Sequence, residues 1–128
     1  QLTTPTSSVV ISSVNSVAET CNEANDGTLT VNASGGSPAY QYKLNSGAFQ
    51  SSNVFNNVIA GSYTITVQDS KGCTATTTAT VTQPNVLAFI ATPTNETCNE
   101  KNDGKIEITS VVGGNGSYQY SIDNGATF

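Results

Sequence analysis

An all-β fold, with immunoglobulin-like antiparallel β-sandwiches repeated in tandem, is what this 128-residue sequence predicts. Three observations predict it. One motif is written twice: Glu19-Thr20-Cys21-Asn22-Glu23 leads into Asn25-Asp26-Gly27, and Glu96-Thr97-Cys98-Asn99-Glu100 leads into Asn102-Asp103-Gly104, 77 residues further on. A period of that size is one small domain, whose core is marginal by itself. Thr, Ser and Asn dominate the polar positions while charged residues make up only 10%, the composition of Thr-rich strands with Asn and Gly turns. Finally, apolar and polar residues alternate in short runs bounded by turn signals, the pattern of strands with one buried face.

Taken in order, residues 1–5 read as the end of a preceding repeat, because Thr3-Thr4-Pro5 parallels Thr82-Gln83-Pro84. A complete repeat spans 6–83, and 84–128 is the first part of a second, truncated one. The first strand is expected over Val9 to Val14, with Leu87 to Ala91 as its counterpart. Asn25-Asp26-Gly27 turns the chain, since all three residues tolerate positive φ. Leu29, Val31 and Ala33 then alternate with Thr28, Thr30 and Asn32 until Gly35-Gly36-Ser37-Pro38 breaks the strand. Tyr40, Tyr42 and Leu44 alternate with Gln41 and Lys43 and point to the core, and Asn45-Ser46-Gly47 turns again. Phe49 and Phe55 flank Gln50 to Asn53, an edge strand or loop whose aromatic ends are expected to plug the core. Tyr63, Ile65 and Val67 form the next strand, Asp69 to Gly72 a hairpin turn, and Ala75, Thr77, Ala79 and Val81 the last strand. That gives six or seven strands.

Before Tyr63, the series Val58-Ile59-Ala60-Gly61 reads as a corner. With Gly61 and Tyr63 it resembles the tyrosine corner of immunoglobulin-like domains, in which the ring is buried and its hydroxyl bonds to nearby backbone. Only Gln83-Pro84-Asn85 separates one repeat from the next, and Pro84 stiffens the joint.

Cys21 and Cys73 lie within one repeat, and Cys98 occupies the Cys21 position of the next. A Cys21–Cys73 disulfide is expected, with Cys98 pairing to a cysteine beyond the fragment; the alternative is reduced, buried thiols. Such a bridge would stabilise a repeat by about 4 kcal/mol in the loop-entropy model. It places the chain outside the reducing cytosol.

Net charge is −5, with Lys43, Lys71, Lys101 and Lys105 as the cations, which argues against nucleic acid or an anionic membrane as partner. The longest apolar run, Val86 to Ala91, is far short of the roughly 20 residues that span a bilayer. With no His and no Arg, the usual acid–base and oxyanion groups are missing, so no catalytic residue and no enzymatic activity are expected. No cofactor is expected either. Glu23 and Asp26, with Glu100 and Asp103, are candidate Ca²⁺ ligands by their oxygens, although the spacing does not fit an EF-hand and Asp-Gly is foremost a turn signal.

The series Cys21-Asn22, Asp26-Gly27, Gly35-Gly36, Tyr40 and Tyr42, Asn45 and Gly47, Phe49 and Phe55, Ala60-Gly61-Ser62-Tyr63-Thr64-Ile65-Thr66-Val67, and Asp69 to Cys73 resembles the SprB-type repeat of Bacteroidetes gliding-motility adhesins. That resemblance implies a repeat of a very long filament on the extracellular cell surface, exported by type IX secretion and used in attachment and gliding. Its implied partners are neighbouring repeats, and surface polysaccharide or other cell-surface proteins. Two roles follow: a structural spacer, or a multivalent glycan-binding repeat that gains avidity from copy number.

Overall fold

A computed structural model describes residues 8–128, so the reading of 1–5 as the end of a preceding repeat, and of Thr6 as the start of the next, lies outside the described residues. The described chain is all antiparallel β. Its strands are β1 (Val10–Val17), β2 (Gly27–Ser34), β3 (Gln41–Leu44), β4 (Val54–Val58), β5 (Gly61–Gln68), β6 (Thr74–Val81), β7 (Ala88–Thr94) and β8 (Lys105–Val112). Among the described residues no helix is long and apolar enough to cross a membrane. The chain divides into two compact units at Gln83/Pro84.

In the first unit, two three-stranded sheets, β1-β2-β4 and β3-β5-β6, pack face to face. The arrangement is an antiparallel β-sandwich. The alternation that marks each strand in sequence is the alternation of burial. Leu29 and Val31 of β2, with Ile65 and Val67 of β5, are fully buried, and Val9, Tyr42, Val58 and Val81 complete the core. Thr28, Thr30, Thr64 and Thr66, one step out of phase, face away. On β6 the small Ala75 and Ala79 sit half-buried and Thr74, Thr76, Thr78 and Thr80 are exposed, as a strand with one wet face requires.

Two expectations are corrected here. The strand after Gln50 is Val54–Val58, so Val58 ends a strand before the corner begins; Asn56 and Asn57 interrupt its alternation, and Asn57 takes φ +56° beside a register shift against Gly27 and Leu29. Phe55 does pack on the core, but Phe49 does not plug it. That ring is 36% exposed, and the Lys43 ammonium lies 4.9 Å from its centre.

The second unit is a two-stranded ribbon, β7-β8, with a loop that carries Tyr118 and Tyr120. Its apolar residues stay open: Phe89, Ile106, Tyr120, Ile122 and Phe128 are all exposed. An apolar groove of about 310 Å³ runs between Leu87, Phe89, Ile108, Tyr118, Tyr120 and Phe128.

Candidate functional site

Strand directions give the first sandwich two ends, and the recurring residues gather at them. β1 runs from an entry pole at Val9 to an exit pole at Val17. β2 returns, because Val10 pairs with Ser34 and Val17 with Thr28. β4 runs with β1, since Gly27 pairs with Val58 and Thr30 with Val54. β5 returns from the corner, and β6 runs out again, with Gly61 opposite Val81 and Gln68 opposite Thr74.

The exit pole is tied by the loop between β1 and β2. Asp26 accepts the Thr20 N–H at 2.9 Å and the Thr20 hydroxyl at 2.5 Å, closing the loop into a ring of side-chain and backbone bonds. Glu23 and Asn25 take left-handed φ of 58° and 57° inside it. Those bonds, first of all from the Thr20 side chain, hold the Asp26 carboxyl below its ordinary 3.8. The Glu19 N–H donates to the Thr82 carbonyl at 2.9 Å and the Glu23 N–H to Gln83 Oε1 at 2.8 Å, fastening the loop to the end of β6. Glu19 is only 3% exposed, and its Oε1 accepts the Ala60 N–H of the corner at 2.6 Å. At Gly61 and Tyr63 the Tyr63 ring is half-buried and its hydroxyl donates to the Ile59 carbonyl at 2.7 Å.

The entry pole is tied by Asp69. This residue is buried, and its carboxylate accepts N–H groups from Ser37 at 3.0 Å and from Lys71 and Cys73 at 2.9 Å each. Backbone bonding, from Ser37 foremost, holds its pKa below 3.8. The Tyr40 hydroxyl donates to the Gly35 carbonyl at 2.7 Å on the same side.

The second unit rebuilds what it has residues for. Asp103 accepts the Thr97 N–H at 2.9 Å and hydroxyl at 2.6 Å, Glu100 and Asn102 take φ of 62° and 56°, and Tyr118 donates to the Gly113 carbonyl at 2.7 Å. Asp123, bonded by the Ser121 and Thr127 side chains, is lowered to about 2.

Of the candidate calcium ligands, Asp26 and Asp103 turn both oxygens onto a threonine, and Glu23 and Glu100 are exposed. Among the described residues no three His, Cys, Asp or Glu side chains gather as a metal group. Tyr42 is buried and Tyr40 half-buried against the core of the first unit, whereas Tyr118, half-buried, and Tyr120, exposed, line the open groove of the second. Glu19 had no role assigned from the sequence; its recurrence as Glu96 was the available signal.

The cysteines are the main correction. Cys21, Cys73 and Cys98 are exposed, unpaired thiols. Cys21 sits in the exit-pole loop, whereas Cys73 opens β6 at the entry pole, where its N–H is bonded to Asp69. The length of β6 lies between them, about 23 Å at 3.3 Å per residue, against the 4.4–6.8 Å between Cα atoms that a disulfide spans. The expected Cys21–Cys73 bridge does not fit within the repeat.

These features define the class: a tandem all-β repeat protein whose Asp-Thr loop and Tyr-Gly bond are formed in both copies. The chain belongs to the SprB repeat family, whose model matches residues 13–49 and 90–127, more than half of the sequence. Both matches cover the β1–β3 part of a repeat and its counterpart, so Ala60 to Cys73 fall outside them. Membership points to a repeat protein of the cell surface. No curated protein matches the chain, and no solved structure does.

Proposed function

We propose that each repeat is a spacer module of a large secreted adhesin on the cell surface, one that holds a distal adhesive part away from the cell during attachment and gliding. The module is neither an enzyme nor dependent on Ca²⁺ or another cofactor. One observation carries this reading: the polar groups of the first module's poles are spent inside it, and its Tyr40 and Tyr42 on its core. Asp26 and Glu19, which recur as Asp103 and Glu96, and Asp69 and Tyr63 beside them, all bond backbone or a neighbouring side chain. None is held out toward a ligand. Binding energy in such a protein belongs to other parts of it.

A second reading has one observation in its favour. The outer face of β5-β6 pairs Ser62 with Thr80, Thr64 with Thr78 and Thr66 with Thr76, a flat lattice of hydroxyls suited to an extended sugar chain. Weak binding there would gain strength from copy number. A glycan array probed with one copy and with four copies of residues 6–83 separates the two. The spacer reading expects no binding from either; binding that rises steeply with copy number would replace it.

A further inference from the structure

We infer that the first unit pairs with a second copy of itself through the free edge of β6, the two strands running antiparallel so that Thr76 lies opposite Thr76. The backbone of β6 fixes which groups that edge offers, because they alternate in direction along a strand. Odd-numbered residues turn theirs toward the β5 side, as the Cys73 carbonyl does in accepting the Asp69 N–H at 2.9 Å. Even-numbered residues turn theirs the other way: the Thr80 carbonyl accepts the Ser16 hydroxyl at 2.8 Å and the Thr82 carbonyl the Glu19 N–H at 2.9 Å, both from the β1 side. Those two bonds cover the exit end of the edge. Thr74, Thr76 and Thr78 keep the same outward sense and are exposed, and among the described residues no strand pairs with them on that side.

The other three edges of the sandwich are blunted. Strand β1 is bulged between Ile11 and Ser13, β3 is four residues long and bridged by Gln50, and β4 slips in register and takes a left-handed φ at Asn57. Strand β6 pairs with β5 over its whole length without a shift, and it carries neither charge nor proline, the guards that keep an exposed edge single. Charge selects the occupant. The exposed Lys71 lies just before β6, at the entry pole, and the exposed Glu23 is fastened to Gln83 just after it, at the exit pole. With Thr76 on a two-fold axis, Thr74 faces Thr78 of the second copy, and Lys71 faces Val81 there, next to the loop that holds Glu23 and Asp26. An antiparallel copy therefore meets each Lys71 with an acidic loop, whereas a parallel copy would set lysine against lysine. The register centred on Thr76 is also the one that spans the open stretch and leaves Thr80 with β1. The pairing uses the backbone of one unit, so it goes beyond the spacer role and stands whatever the glycan array returns.

The test uses the full 128-residue chain with a reductant that keeps its thiols reduced. Sedimentation equilibrium up to about 1 mM, the range of weak association, is expected to show a reversible dimer. Amide exchange followed by NMR is expected to show Thr74, Thr76 and Thr78 protected at high concentration and fast on dilution. Thr76→Pro removes an N–H that β5 does not use, and is expected to weaken the dimer about tenfold or more with the first unit's NMR spectrum kept. Because proline can disturb the strand itself, Thr76→Lys gives a second arm. It keeps every backbone group and sets two ammonium groups face to face on the axis, so the same loss is expected. A chain that stays monomeric, a dimer that neither substitution weakens, or protection that gathers on β7 and β8 instead of β6 would overturn the inference.

Discussion

At Gly27 an added methyl group would stand 2.5 Å from both the Val58 carbonyl oxygen and Val81 Cγ1, which is why the first residue of β2 carries no side chain. Gly27→Ala should cost about 1–3 kcal/mol as overpacking and lower Tm by at least several degrees in a thermal melt. Tyr63→Phe removes only the hydroxyl bonded to Ile59, and should cost about 1 kcal/mol, read the same way. Glu19→Ala leaves the Ala60 N–H without its partner at a closed corner, so a larger loss of about 1–3 kcal/mol is expected. The Asp69 carboxyl is held below its unfolded 3.8, so its contribution is present above pH 3.8 and lost as the pH falls through the lower folded value. Asp26 titrates in the same sense. Denaturant midpoints measured from pH 5 down to 2 should therefore fall for the native chain, and Asp69→Asn should flatten that fall. The Tyr63 hydroxyl reaches back only four residues, to Ile59, and a bond that local is of the kind sequence spacing can show. That of Glu19 is not, because its partner Ala60 lies 41 residues away.

Among the elements, β2, β5 and β6 declare themselves by alternation, since each has one dry face and one wet one. Strand β4 does not, because Asn56 and Asn57 occupy its middle and the register slips there. The position of the cysteines turned on a related ambiguity. If the stretch from Gln50 to Asn53 is a loop, six strands that simply alternate in direction place Cys21 and Cys73 at the same end. In the fold, Gln50 bridges back to Tyr42 for a single residue before β4 begins, so β3 and β4 point the same way and Cys73 moves to the opposite pole. One hidden reversal, made by one bridge, decides the matter, and spacing does not record it. The same contrast of faces predicts unequal mutational costs along the strands. Ile65→Ala, in the fully buried middle of β5, should cost about 2–5 kcal/mol, whereas Thr78→Ala on the exposed face of β6 should stay within about 0.5 kcal/mol, both from denaturant melts.

At the scale of the molecule, the two units should differ in stability because only the first has both of its sheets. A two-stranded ribbon with its apolar side open is marginal in water. Amide hydrogen exchange should find slow sites on β2 and β5 and fast exchange across β7 and β8, as local opening free energies require. The period of 77 residues and the all-β class were legible from the repeated motif, and the family match covers that same motif in both copies. The role of the array is a property of many repeats, and its length is the quantity that a spacer exists to supply. The direct measurement is small-angle scattering from arrays of two, four and eight copies of residues 6–83 joined as in the native chain. The spacer account predicts that the maximum dimension rises by an equal increment for every repeat added. Growth as the square root of copy number, the behaviour of modules on loose tethers, would contradict it.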